Sequence, residues 1–260
     1  MRFAIVTACC LWLFPGLQTV MAQRHQQKID IKLSPVHTNQ ALLQLPDDYE
    51  TSGESYPLIM FLHGKSKSGT SIWKLVLEGI PYWLDQGKRL DAVNPVDGKL
   101  YKFIVVCPQA LEWGLHPDQV NYVLDQIVAR YRVDTSRIYL TGYSAGGWAT
   151  VMAITDNQKL TNRFAAAVPM SAADIDKRNL KQFNLVANAN LHCWYFGGTD
   201  ELHYLESVES YADSTNRYRP GLAQVTITPY KHCCWKELYD PSFKQEGMNI
   251  YEWMLQYKKE

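Results

Sequence analysis

The sequence predicts an α/β domain in which a mostly parallel sheet is covered by helices. Three observations predict it. Short apolar runs of strand length alternate with stretches of helical spacing. Several of those runs are apolar throughout, as strands buried on both faces are. Reactive residues also stand just past the ends of four runs, at His63, Ser144, Asp200 and His232. In open parallel sheets that is where chemistry gathers, outside the carboxyl ends of the strands.

Taken in order, the pattern opens with two short alternating strands, 29–33 and 41–45, parted by Ser34-Pro35. The run 57–62 (Pro-Leu-Ile-Met-Phe-Leu) ends at His63-Gly64, and the run 103–107 ends at Pro108. Residues 119–131 have helical spacing, with Val120, Val123, Leu124, Ile127 and Val128 on one side. Asp134-Thr135-Ser136 turns into a β-branched strand, 137–141, which a helix-like stretch follows at 148–154. The runs 164–170 and 191–196 are further strands, the second closed by Gly197-Gly198. The last strand is 225–229, and 249–257 ends the chain as an amphipathic helix.

Residues 1–22 stand apart from this pattern. Met1-Arg2 is a short positive start, 3–17 is almost wholly apolar, and Val20-Met21-Ala22 suits cleavage before Gln23. That reads as a secretory signal peptide, which predicts an exported protein whose single catalytic domain is 23–260. Pro15 and Gly16 interrupt the run, so it makes a poor membrane span, and no later segment qualifies. Val6-Thr7-Ala8-Cys9 resembles a lipobox, but too few apolar residues precede Cys9, and anchoring there is not expected. About 238 residues remain, enough for one domain with an ample core. Lysine plus arginine and aspartate plus glutamate are both 26, so no global field favours nucleic acid or an anionic membrane. The mature part has four cysteines, Cys107, Cys193, Cys233 and Cys234, whose spacing fits no zinc pattern; no metal is expected.

Gly142-Tyr143-Ser144-Ala145-Gly146 lies between the strand 137–141 and the helix 148–154. In that context G-x-S-x-G describes a nucleophile elbow, a serine held on a sharp turn at a helix N-terminus. Glycines two before and two after let strand and helix approach, and the helix end favours developing negative charge. A chain of this length meets the pattern by accident roughly one time in ten. The assignment therefore needs a base and an acid in the right places. Of the seven histidines, His232 alone follows the last strand in a short loop, and His203 is its main competitor. Asp200 directly follows the Gly197-Gly198 turn and is the expected acid, with Glu201 the alternative. The order serine, acid, histidine matches the hydrolase order. The oxyanion donors expected are the backbone N–H groups of Ala145 and of Lys65, in the loop after the third strand.

The chain resembles α/β-hydrolases of the carbohydrate esterase family 1 or polyhydroxybutyrate-depolymerase-like esterase group, which includes feruloyl and acetylxylan esterases. The resemblance is carried by Phe61-Leu62-His63-Gly64, the elbow and the strand before it, and Phe164-Ala165-Ala166-Ala167-Val168-Pro169. It continues through Cys193-Trp194-Tyr195-Phe196 with Gly197-Gly198-Thr199-Asp200, and through His232-Cys233-Cys234-Trp235. It implies an α/β-hydrolase fold with an eight-stranded sheet, no cofactor, and an acyl-serine intermediate at Ser144. Gly197-Gly198 departs from the His-Gly that many relatives carry before the acid, and Lys65 and Lys67 replace a neutral, glycine-rich stretch. In that strand order the seventh and eighth strands are parallel neighbours, which sets Cys193 about 13 Å below the level of Cys233. Bridged α-carbons stand no more than about 7 Å apart, so no structural disulfide is expected.

The expected substrate is a small-molecule or polysaccharide-linked ester. Trp113 sits at the catalytic end, and Trp148 and Trp235 flank the nucleophile and base; all three are candidate substrate contacts. A prolyl-oligopeptidase-like peptidase shares the order but usually carries a large gating domain, and a lipase usually carries an apolar lid. A catalytically silent hydrolase-fold binding protein typically loses one of the three residues, which are all present here.

Overall fold

Each of the eight runs becomes a strand of one sheet in the computed structural model, which describes residues 26–260. The expected signal peptide (1–22), its cleavage point and Cys9 lie outside the described residues. The strands are β1 (Gln27–Lys32), β2 (Thr38–Gln44), β3 (Tyr56–Leu62), β4 (Ile104–Pro108), β5 (Val133–Tyr143), β6 (Ala166–Met170), β7 (His192–Gly198) and β8 (Ala223–Thr228). Their spatial order is β1-β2-β4-β3-β5-β6-β7-β8. β1 and β2 pair antiparallel, β2 meets β4 antiparallel, and every pair from β4 onward is parallel. This is the mostly parallel, helix-flanked sheet that the alternation predicts.

Seven helices matter for the site: α1 (Gly79–Asp85), α2 (Pro117–Arg130), α3 (Ala145–Ile154), α4 (Phe183–Asn188), α5 (Leu202–Tyr218), α6 (Trp235–Tyr239) and α7 (Ile250–Leu255). Periodicity finds α2, α3 and α7. It does not find α1, whose Gly79 and Pro81 read as breakers, or α6, which has only five residues. Of α5 only the start, beside Glu201, is evident, because its apolar face is diluted by polar residues such as Ser207 and Thr215 that the fold buries.

β3 is buried along its whole length, and its alternation divides the core. Leu58, Met60 and Leu62 join one cluster with Val123, Leu124 and Ile127 of α2 and Val151 of α3. Ile59 and Phe61 join the other with Ile80 of α1, Leu238 of α6 and Trp253 of α7. Fully burying one such side chain is worth about 1.5–3 kcal/mol. The central strands β3 and β5 are thereby clamped from both sides, and residues at their carboxyl ends inherit that rigidity.

Candidate active site

The elbow is built almost entirely from backbone. Ser144 sits between β5 and α3 with φ 55° and ψ −119°, a conformation that residues with a Cβ rarely adopt. Its N–H donates to Met170 O at 2.9 Å, and its carbonyl accepts from Trp148 N at 2.9 Å. The motif glycines are sterically required. A Cβ on Gly146 would lie 1.9 Å from Leu62 O, and one on Gly142 would lie 2.5 Å from Gly146 O. The sharp turn therefore depends on close approach to the end of β3 as well as to its own helix.

The loop after β8 brings His232 over the elbow. Its Nε2 lies 2.8 Å from Ser144 Oγ, and its Nδ1 lies 2.6 Å from Glu201 Oε2. A carboxylate only accepts, so Nδ1 carries the proton and Nε2 is left to accept from the serine hydroxyl. The carboxylate facing His232 is thus Glu201; the expectation of Asp200 is corrected. The reason is the turn that closes β7. Glu201 N–H donates to Gly198 O at 3.2 Å, which leaves Thr199 and Asp200 at an exposed tip. Glu201 enters α5 at its N-terminus with only 8% of its surface exposed and folds back beneath the turn. A Cβ at Gly198 would stand 3.1 Å from Glu201 Cγ and 2.2 Å from Tyr230 O, so this route needs a glycine there.

Glu201 is held by more than the histidine. Its Oε1 accepts from Gly198 N at 2.8 Å and from the Ser171 hydroxyl in a short contact. Ser171 itself has φ 42°, is buried, and donates its N–H to Phe196 O at 2.8 Å. Met170 and Ser171, at the end of β6, thereby tether both the Ser144 backbone and the Glu201 carboxylate. Sequence reasoning missed Ser171, whose role depends on a backbone conformation that its residue type does not announce. His203, the competing base, points elsewhere: its Nε2 is 3.3 Å from Asp174 Oδ2 and takes no part in the relay.

The loop after β3 is pinned to the segment after β4 by a buried imidazole. His63 Nδ1 donates to Gly64 O at 2.8 Å, and Nε2 accepts from Ala110 N at 2.8 Å. Burial, aided by the nearby Lys67 charge and opposed by the bond to Gly64, pushes the His63 pKa down to about 4. Lys65 opens a single 3₁₀ turn, Lys65–Lys67, and Ala145 is the first residue of α3. N–H groups at those positions have no carbonyl within their own helix to bind. Of the two expected oxyanion donors, the structure places one at the head of each turn.

The three tryptophans divide. Trp113 is 37% exposed, with Lys65 Nζ 5.5 Å from its ring centroid, and remains a surface residue of this face. Trp148 packs edge-on against Trp113 at 6.4 Å and His116 at 5.3 Å. Trp235 is only 6% exposed, stacked on Tyr143 at 4.8 Å with His232 against it at 5.2 Å. It packs behind His232 and is not the surface contact expected of it, because α6 turns it into the core.

Cys107 and Cys193 are buried free thiols, and burial raises both pKa values, that of Cys193 to about 12. Cys233 and Cys234 are joined to each other, which overturns the expectation of no disulfide. Strand level separates Cys193 from Cys233, but adjacent residues stand 3.8 Å apart at Cα, and Cys234 is left-handed, with φ 69°. Among the described residues no group of three or more His, Cys, Asp or Glu side chains is arranged to hold a metal ion, and no helix is long and apolar enough to cross a membrane.

Residues 113–226, a stretch that includes Ser144 and Glu201, match the family model of the prolyl oligopeptidase family. A bifunctional acetylxylan esterase/xylanase of Neocallimastix patriciarum is 25% identical over 127 residues, 46% of this chain and 16% of that protein. A thermostable esterase superposes with a TM-score of 0.65 at 19% identity, over 90% of this chain and 64% of that one. Both relatives extend well beyond the part that matches, since less than two thirds of either is covered. The feruloyl esterase module from Clostridium thermocellum, solved as its S954A mutant with sinapinate, matches nearly end to end. Its TM-score is 0.58 at 15% identity, with 98% of this chain and 96% of that one covered.

Proposed function

We infer that this chain, which has the α/β-hydrolase fold, is a serine hydrolase that cleaves carboxylic esters through an acyl-serine intermediate. The observation that carries the reading is the continuous relay from Ser144 Oγ through both nitrogens of His232 to Glu201. A serine hydroxyl is a weak nucleophile at neutral pH and needs such a base. His232 Nε2 takes the Ser144 proton as Oγ attacks the ester carbonyl, while Glu201 steadies the resulting imidazolium. The amides of Lys65 and Ala145 receive the oxyanion. His232 then protonates the leaving alcohol, and water activated by the same nitrogen releases the acid and frees Ser144.

The substrate class proposed is an acyl or feruloyl ester carried on a polysaccharide. The acetylxylan and feruloyl esterase relatives support it, as does the exposed Trp113, which offers a stacking surface to a sugar or aromatic acid. The proposal extends to export, since residues 1–22 have the composition of a secretory leader. A second reading, serine peptidase, is favoured by the match to the prolyl oligopeptidase model.

The experiment is a panel of p-nitrophenyl esters from acetate to decanoate, methyl ferulate, acetylated xylan and peptidyl amides, run beside fluorophosphonate labelling. Turnover of esters is expected, with Ser144→Ala abolishing both turnover and labelling. Cleavage of the amides alone would replace the esterase reading by the peptidase one. Labelling that survives Ser144→Ala would remove the nucleophile assignment.

A further inference from the structure

We propose that Tyr204 is a positioning residue for His232, holding the tilt of the imidazole and favouring its charged form as the serine proton arrives. The inference rests on the serine-hydrolase reading and adds a component to it. The two hydrogen bonds of His232 fix where its nitrogens lie, but they restrain the tilt of the ring only through soft angular preferences. The faces must supply the rest, and His232 keeps about a third of its side chain exposed (34%), so the loop around it supplies little packing.

Tyr204 covers one face. Its ring stacks on the imidazole with centroids 4.1 Å apart and planes 23° from parallel. Trp235 meets the imidazole nearly perpendicular, at 5.2 Å and 82°. A parallel contact and a perpendicular one restrain rotation about different axes. Tyr204 also belongs to the same helical turn as the acid: its N–H donates to Glu201 O at 2.9 Å. Residues three apart on a helix face the same way, so the first turn of α5 delivers a carboxylate to Nδ1 and an aromatic face to the ring. A tyrosine face attracts a cation more than a neutral ring. The contact therefore strengthens when His232 becomes an imidazolium in the transition state, which is the condition for accelerating the step.

The test compares Tyr204→Phe, which keeps the aromatic face, with Tyr204→Leu, which keeps bulk and shielding but loses it. Tyr204→Met repeats the Leu comparison should that variant fail to fold. Tyr204→Phe should hold kcat within about twofold. The aliphatic variants should lose about fivefold in kcat with KM unchanged, and fluorophosphonate labelling should slow by the same factor. A higher KM at constant kcat would make Tyr204 a substrate contact and overturn the proposal. So would equal losses in Phe and Leu, which would assign the effect to the hydroxyl. Because labelling reports attack by Ser144 without an ester, it separates the two levels. A wild-type chain that labels but turns over no ester fails the substrate reading while Tyr204 is still judged on labelling rates. A wild-type chain that does not label loses both.

Discussion

The two halves of the site are built from different materials. The Ser144 half is backbone: a strand end, a helix start, two glycines with no room for a Cβ, and an amide bonded to Met170. The His232 half is side chains borrowed from the end of β6 and the starts of α5 and α6, with Glu201, Ser171, Tyr204 and Trp235 all converging on His232 or on one another. A backbone device tolerates no change at its tight points and is indifferent elsewhere. A side-chain device degrades in steps, one contact at a time. Five substitutions separate these behaviours.

The largest effect is expected at the acid. Glu201→Gln keeps the shape but cannot hold the imidazolium or enforce its tautomer, and kcat should fall about 10³–10⁴-fold. Asp200→Asn, at the exposed tip of the same turn, should change kcat less than twofold. Steady-state kinetics on one ester checks both, and a large loss in the Asp200 variant would return the acid to the place the sequence suggested.

Gly146→Ala tests the backbone half. A methyl group 1.9 Å from Leu62 O forces the end of β3 away from the elbow, at a cost of about 3 kcal/mol or more in unfolding free energy. Urea denaturation measures it. A variant that kept full stability would show that the elbow has slack.

The next test is pH, through His63. Its folded pKa of about 4 lies below the unfolded value of 6.5, so the unfolded chain binds the extra proton. Its contribution is complete above pH 6.5 and is lost as pH falls toward 4, amounting to about 3 kcal/mol. His63→Gln, which can still donate to Gly64 O and accept from Ala110 N, should flatten that part of the stability profile. An unchanged slope would mean that other groups carry it.

A smaller loss than at Glu201 is expected at Ser171. Ser171→Ala removes one of the bonds to Glu201 Oε1 and leaves that from Gly198 N. A hydrogen bond to a charged group is worth about 1.5–3 kcal/mol, but the remaining donor limits the loss to about tenfold in kcat, with little change in KM. A loss as large as that of Glu201→Gln would mean that Ser171 holds the acid alone.

The division of labour also explains what was legible. The elbow is contiguous, and its glycines are demanded by contacts within the β-turn-α unit and with the neighbouring strand, so five residues in a row announce it. His232 could be found because it follows the last strand, and the topology of parallel sheets sends such loops to one edge. Asp200 and Glu201 could not be told apart in that way. Both follow β7, and the choice between them rests on which way the Gly198 turn faces and how far each side chain reaches. Ser171 and Tyr204 left no local trace, since one acts through an unusual φ and the other through a ring stacked across a loop. Trp235 gave the opposite error, because adjacency to the base in sequence became burial behind it once α6 formed.

The sequence by itself therefore determined the class of fold and singled out Ser144 and His232, which the structure brings to 2.8 Å of each other. Periodicity and tight-turn sterics are local, and local physics can be read along one chain. The tertiary structure decided which carboxylate meets His232, what holds that carboxylate, which aromatic rings bracket the imidazole, and which cysteines are joined. Those outcomes depend on distances of a few ångströms between loops far apart in sequence, set only when the sheet and both helical layers have packed.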